Sequence, residues 1–376
     1  MINLNINAET KIETLPLTFS NIDGSWVVGS FYKGTSYLKT SVMGVEAIKL
    51  LNQNMNILNV ERVLSNRNQD NIKIQQLVSA LYDSNLIHKI DSKIISNPEL
   101  MTNGKFLSEL AKHLFSNFAL LVYVGLVVAG SISIVLNSDI LLLPKQIQTF
   151  GFFISSLLIG WLLTLKHEWF HYLAAVSVGV PAHIKFGTRF FFVVLETDVS
   201  SLYILETKKR YRVYLAGICG DLVVCSIFSL LKNFNLSELN VLLDFALISS
   251  FGGILFQFNF FLKTDLYFVI ADGFHLNNLY MNSDMLIKSW LGFQFKNVSF
   301  SKSVFLFSVL RIINYMILSL AVVLVIIGLF LHQVENPISV ESNQFSYVAM
   351  VLYFIVFLIV KYGNRKKHKT QLLFES

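Results

Sequence analysis

Six long apolar stretches, at roughly 115–136, 148–175, 213–231, 241–262, 312–331 and 345–361, limit what this chain can fold into more than any other feature. A helical run of about 20 apolar residues matches the hydrocarbon thickness of a bilayer. In lipid the backbone must satisfy its own hydrogen bonds, which favours helices. The expected fold is therefore a mainly α membrane protein with about six transmembrane helices. Composition agrees, because 54% of residues are hydrophobic and 14% charged, away from the balance of a soluble domain.

The loops carry an orientation signal. Segments 137–147, 232–240 and 332–344 hold Lys145, Lys232 and no Lys or Arg, respectively. The alternate set holds Lys185, Arg189, Lys208, Lys209, Arg210 and Arg212, then Lys263, Lys288, Lys296 and Lys302, then Lys361, Arg365, Lys366, Lys367 and Lys369. The positive-inside rule predicts a multi-pass protein of the cell membrane with both termini cytoplasmic. The net charge of +6 lies in these loops, where it suits the lipid membrane rather than nucleic acid. Met1–Asn7 lacks the basic and apolar regions of a cleavable signal peptide. Cys219 and Cys225 sit six positions apart in one apolar stretch, pointing to different sides of a helix, and read as inert buried thiols.

The second apolar stretch contains His167-Glu168-Trp169-Phe170-His171. Residues four apart share a helix face, so both imidazoles can reach one Zn²⁺. Glu168 then stands where a general base for a zinc-bound water belongs. Ionisable groups at membrane depth are costly and usually functional. His171 precedes the end of its span by about eight residues, or roughly 12 Å of helix, which sets the metal nearer the cytoplasmic face. A polar cavity must then admit water. Catalytic zinc normally has three protein ligands, and Asp221, Asp244, Asp265, Asp272 and His275 are candidates for the third. Asp265 follows the fourth span on the side of the zinc motif. Asp244 starts that span on the far side, and Asp221, inside the third span, is the rival on depth.

Residues 1–95 read as a small soluble α+β domain. Ser25–Phe31 and Ser36–Ser41 are strand-like runs around the turn-prone Lys33-Gly34. Helices are expected at Val45–Leu51, Val60–Leu64 and Ile74–Ile87, the last with Ile74, Leu77, Val78, Leu81 and Tyr82 on one face. That order is winged-helix-like. Residues 96–114 are expected as a linker, 115–361 as the membrane domain and 362–376 as a basic cytoplasmic tail. Between spans two and three, His183–Leu205 is too short and interrupted to cross. It reads as a strand or hairpin dipping towards the membrane, with an edge for substrate, or as an ordinary amphipathic loop.

His-Glu-x-x-His in the second of six spans, with a later Asp after an Asn-initiated turn, resembles the site-2 protease family of intramembrane zinc peptidases. Asn259-Phe-Phe-Leu-Lys-Thr-Asp265-Leu-Tyr is similar to the Asn-Pro-Leu-Leu-Lys-Leu-Asp-Gly-Tyr pattern of a peptide-processing branch. Ala216-Gly217-Ile218 resembles that family's Ala-Gly-Pro. Phe260, Leu266 and Ile218 depart from the pattern, standing where it has Pro, Gly and Pro. The resemblance implies Asp265 as third zinc ligand and Asn259 as the turn residue. Residues 1–95, with the helix Gly44–Leu51, resemble the pyrroloquinoline-quinone peptide chaperone, which implies recognition of a leader segment in a precursor peptide. The plain alternative is a winged-helix packing module.

Asp272, two helical turns beyond Asp265, is a candidate for orienting a metal-bound imidazole or a solvated charge. His183 and His275 fall on the zinc side and are candidates for substrate contact, whereas His88, His113, His332 and His368 read as structural. The expected function is a membrane-embedded zinc metalloendopeptidase. Its substrate would be a hydrophobic or membrane-associated peptide, in particular a ribosomally made modified-peptide precursor. Alternatives are a regulated protease releasing a transcription regulator, or a non-catalytic immunity or export protein that binds peptide.

Overall fold

In the computed structural model, the described residues are 7–22, 25–32, 37–66, 74–96, 103–136, 150–189, 192–198, 200–234, 239–276, 278–290, 292 and 301–335. The chain begins with strands β1 (Ile12–Thr14), β2 (Thr18–Ile22), β3 (Ser25–Gly29) and β4 (Tyr37–Thr40), followed by helices α1 (Val42–Leu51), α2 (Ile57–Ser65) and α3 (Ile74–Asp83). Strands β5 (Ile87–Ile90) and β6 (Lys93–Ile94) return to form the antiparallel sheet β1-β5-β6, and β2-β3-β4 form a second one. Polar side chains start the first two helices: Ser41 Oγ accepts from the Gly44 N–H at 3.2 Å and Asn56 Oδ1 from the Asn59 N–H at 2.9 Å. The apolar spacing read from the sequence buries Ile74, Val78 and Leu81 against Ile48, Leu51 and Val60. Each such side chain contributes about 1.5–3 kcal/mol by leaving water. The third helix is shorter than expected. Asn85 adopts a left-handed φ of 54°, the Leu86 N–H bonds back to the Leu81 carbonyl, and Ile87 starts β5.

Helix α4 (Lys105–Leu114) occupies the expected linker and packs on α6 (Phe150–Ser177) through Ala111 and Leu107. Among the described residues, four helical stretches are long and apolar enough to cross a membrane. They are α5 (Asn117–Leu136), the α7–α8 pair (Thr207–Tyr214 and Ala216–Lys232), α9 (Asn240–Gln257) and residues 302–321 of α12 (Lys302–Glu335). Of the apolar window in α5, 11% is buried inside the protein, so Phe118, Leu121, Val124 and Val128 turn outward. An apolar outer face of that extent suits lipid rather than water. Helix α6 is long enough as well, but carries Lys166, Glu168 and two histidines. The expected span 345–361 lies outside the described residues.

Helix α8 packs against α5, α6 and α9, and small residues allow the close approach. A Cβ on Gly130 of α5 would lie 2.5 Å from the Ser226 Cα, and one on Gly220 of α8 would lie 2.6 Å from the Phe170 ring. Expected span boundaries shift in two places. Helix α9 stops at Gln257 instead of 262, because a 3₁₀ turn at Phe260–Leu262 and Lys263, with φ 59°, reverse the chain. Helix α12 starts ten residues before the expected 312, and its Arg311 is paired with Asp284 of α11 (Leu279–Trp290) at 2.7 Å. Strands β7 (His183–Arg189) and β8 (Phe192–Asp198) pair as an antiparallel hairpin, in register from His183–Asp198 to Arg189–Phe192. It lies along α6. Neither Cys219 nor Cys225 is in a disulfide.

Candidate metal centre

One turn of α6 presents His167 and His171 to the same side, with their Nε2 atoms 3.2 Å apart. Reversal of the chain after α9 starts α10 (Asp265–Gly273) facing them. Asp265 Oδ2 lies 3.0 Å from His171 Nε2 and 3.1 Å from His167 Nε2. Each of the three residues is 7% exposed, and their ligand atoms lie within 4.8 Å of one another. This group can hold a metal ion.

The other ring nitrogens explain the orientation. His171 Nδ1 is 2.7 Å from the Val213 carbonyl, which accepts only, so this nitrogen carries the proton and Nε2 is left with a lone pair when the ring is neutral. His167 Nδ1 is 2.7 Å from Asp221 Oδ2. Two nitrogen lone pairs aimed at one carboxylate repel unless something positive lies between, either a ring proton or a metal ion. Glu168, Asp221 and Asp265 are buried carboxylates with the Lys166 ammonium beside them, a deficit of two positive charges that a divalent ion or two ring protons would offset.

Helix α8 makes room for an ion at Gly217, where a Cβ would lie 2.4 Å from His171 Nε2 and 2.5 Å from His167 Nε2. Glu168, also 7% exposed, is held by the hairpin: its Oε2 accepts from the Thr197 N–H at 2.7 Å and the Thr197 hydroxyl at 2.8 Å. Glu168, His171 and Asp265 open on a cavity of about 520 Å³, walled in part by Tyr37, Tyr203 and Tyr267. Tyr37 comes from β4 of the N-terminal domain and stacks on Tyr203 with centroids 4.6 Å apart. On the hairpin, burial opposes the Lys185 charge, but Asp198 at 2.9 Å and Glu196 at 3.6 Å hold its pKa above the usual lysine value.

The structure therefore brings together His167, Glu168, His171 and Asp265 as expected. Asp272 lines the cavity and pairs with Arg210 at 3.0 Å, while the outer ring nitrogens of His167 and His171 meet Asp221 and the Val213 carbonyl instead. That place on His167 belongs to Asp221, considered from sequence only as a rival ligand. Asp244 pairs with Lys232 at the far end of α9. Asn259 forms the turn, where its carbonyl accepts from Thr264 Oγ1 at 3.2 Å, and it does not line the cavity. His183 and His275 do not line it either. Sequence reasoning missed Gln257, which accepts from the Asp265 N–H at 3.2 Å and lies 3.3 Å from His167 Nε2. It also missed Thr197 and Lys166. The available signal was an amide and an ammonium placed inside otherwise apolar helices.

No known protein family, curated protein or solved structure matches the chain.

Proposed function

We propose that the chain is a membrane-embedded zinc metalloendopeptidase that cleaves a hydrophobic or membrane-associated peptide, with a ribosomally made modified-peptide precursor as the preferred substrate class. The observation that carries this reading is the convergence of His167, His171 and Asp265 beside Glu168 at the end of one cavity. A bound zinc ion supplies Lewis acidity and a water that ionises near neutral pH. Two imidazoles and one carboxylate suit that ion, and they leave a coordination position open.

Glu168 is the base. Thr197 ties down Oε2, and Oε1 is left to take the proton of the attacking water and return it to the leaving amine. The cavity wall sets the aromatic faces of Tyr37, Tyr203 and Tyr267 beside charged side chains such as Lys185, Glu196 and Lys263, which suits the apolar side chains and polar backbone of an extended peptide. Residues 1–95 present the precursor, a role supported by Tyr37 standing in the wall of the same cavity. The membrane domain has six spans with both termini cytoplasmic, so that the zinc lies nearer the cytoplasmic face. A binding protein without hydrolytic activity would use Glu168 only to anchor the hairpin through Thr197.

The test pairs metal analysis with cleavage of quenched-fluorescent hydrophobic peptides by full-length protein in detergent micelles. Glu168→Gln should retain zinc and lose hydrolysis by at least about 100-fold, the lower range for a general base. Undiminished cleavage by this variant would end the peptidase reading.

A further inference from the structure

Asp221 is buried and Lys166 half-buried in an apolar part of the molecule, and the proposed hydrolysis gives them nothing to do. Neither lines the cavity, so neither can meet a substrate there. We propose that they form an outer ion pair that positions His167 and sets how tightly the metal is held.

The geometry assigns each oxygen of Asp221 a partner. Oδ2 lies 2.7 Å from His167 Nδ1, and Oδ1 accepts from the Lys166 ammonium. The side chains are 9% exposed for Asp221 and 19% for Lys166. The carboxylate thus bridges α8 to two consecutive residues of α6. It fixes the ring plane of His167 and makes Nδ1 the protonated nitrogen, which directs the Nε2 lone pair at the metal position. A charged partner on Nδ1 also raises the donor strength of Nε2. The two ligands differ in this respect, since His171 has only the neutral Val213 carbonyl. An ammonium in an apolar helix is costly. Lys166 offsets that cost by neutralising Asp221, so that the carboxylate does not add an uncompensated charge to a site already holding Glu168 and Asp265. Both are positioning residues.

This inference rests on metal binding by His167, His171 and Asp265, and is independent of hydrolysis. Its test is zinc affinity, measured by competition with a fluorescent chelator on purified full-length protein in micelles. Cobalt absorption serves as a second reading of ligand geometry. Asp221→Asn keeps the shape and a hydrogen-bond acceptor but removes the charge, and should weaken zinc about 10–100-fold with an altered cobalt spectrum. Lys166→Met removes a positive charge beside the ion and leaves Asp221 unneutralised, so it should tighten zinc within about tenfold, and Lys166→Arg should keep native affinity. Native-like affinity in both Asp221→Asn and Lys166→Met, while Asp265→Ala is empty, overturns the outer pair and spares the three-ligand site. If Asp221→Asn fails to fold, the Lys166 pair of variants decides alone: equal affinities for Met and Arg refute the inference. A native protein that binds neither zinc nor cobalt overturns both readings.

Discussion

Replacing Gly217 by Ala should empty the metal centre without dismantling the protein. The ideal Cβ at this position lies 2.4 Å from His171 Nε2 and 2.5 Å from both Cε1 and Nε2 of His167. Unstrained carbon–nitrogen contacts need about 3.5 Å, so the methyl overlaps both rings by roughly 1 Å. Zinc–imidazole bonds are about 2.0–2.1 Å long, which makes the methyl and an ion competitors for the same space between the two nitrogens. Relief requires either retreat of α8 or rotation of the rings away from Asp221 and the Val213 carbonyl. Either movement breaks the ligand set. Overpacking costs about 1–3 kcal/mol, which a folded membrane domain can absorb. Zinc affinity should fall by more than about 100-fold, beyond the loss expected when only an outer partner is removed. The assay is metal stoichiometry and chelator competition on monodisperse protein, with helicity followed by circular dichroism. Gly220→Ala is the matched control: its Cβ would lie 2.6 Å from the Phe170 ring, an equal intrusion that spares the imidazoles. Native zinc affinity in a folded Gly217→Ala protein, or equal metal loss in both variants, would refute the reasoning.

Thr197→Val removes the hydroxyl that holds Glu168 while keeping the backbone N–H, and should slow peptide hydrolysis about 10–100-fold, as for one hydrogen bond of 1.5–3 kcal/mol to a charged group. Zinc content should stay unchanged and Thr197→Ser should recover the rate; a Val variant as fast as the native protein removes Thr197 from the mechanism. Reporter fusions after residues 140, 236 and 338 should face the outside and those after 200, 285 and 370 the cytoplasm, by the distribution of Lys and Arg. Fusions showing the termini on opposite sides would overturn the six-span arrangement.

Local pattern was legible in the sequence because a helix converts spacing directly into shared faces. The apolar runs became α5, α8, α9 and α12, the four-residue interval set His167 and His171 on one side of α6, and Ile74, Val78 and Leu81 formed one buried stripe. The four catalytic-centre candidates were therefore nameable, with Asp265 needing a family resemblance to choose it over Asp221. Which partner supports each of them was decided only by tertiary structure. His167 meets Asp221 across 54 positions, His171 meets Asp265 across 94, and Glu168 meets Thr197 across 29. Such contacts depend on how closely α8 crosses α6 at Gly217 and Gly220, and on the left-handed turn at Lys263 that brings Asp265 back. Residue spacing carries no record of a helix crossing. For that reason Asp221, rather than Asp272, holds the imidazole, and Asp272 is taken up by Arg210.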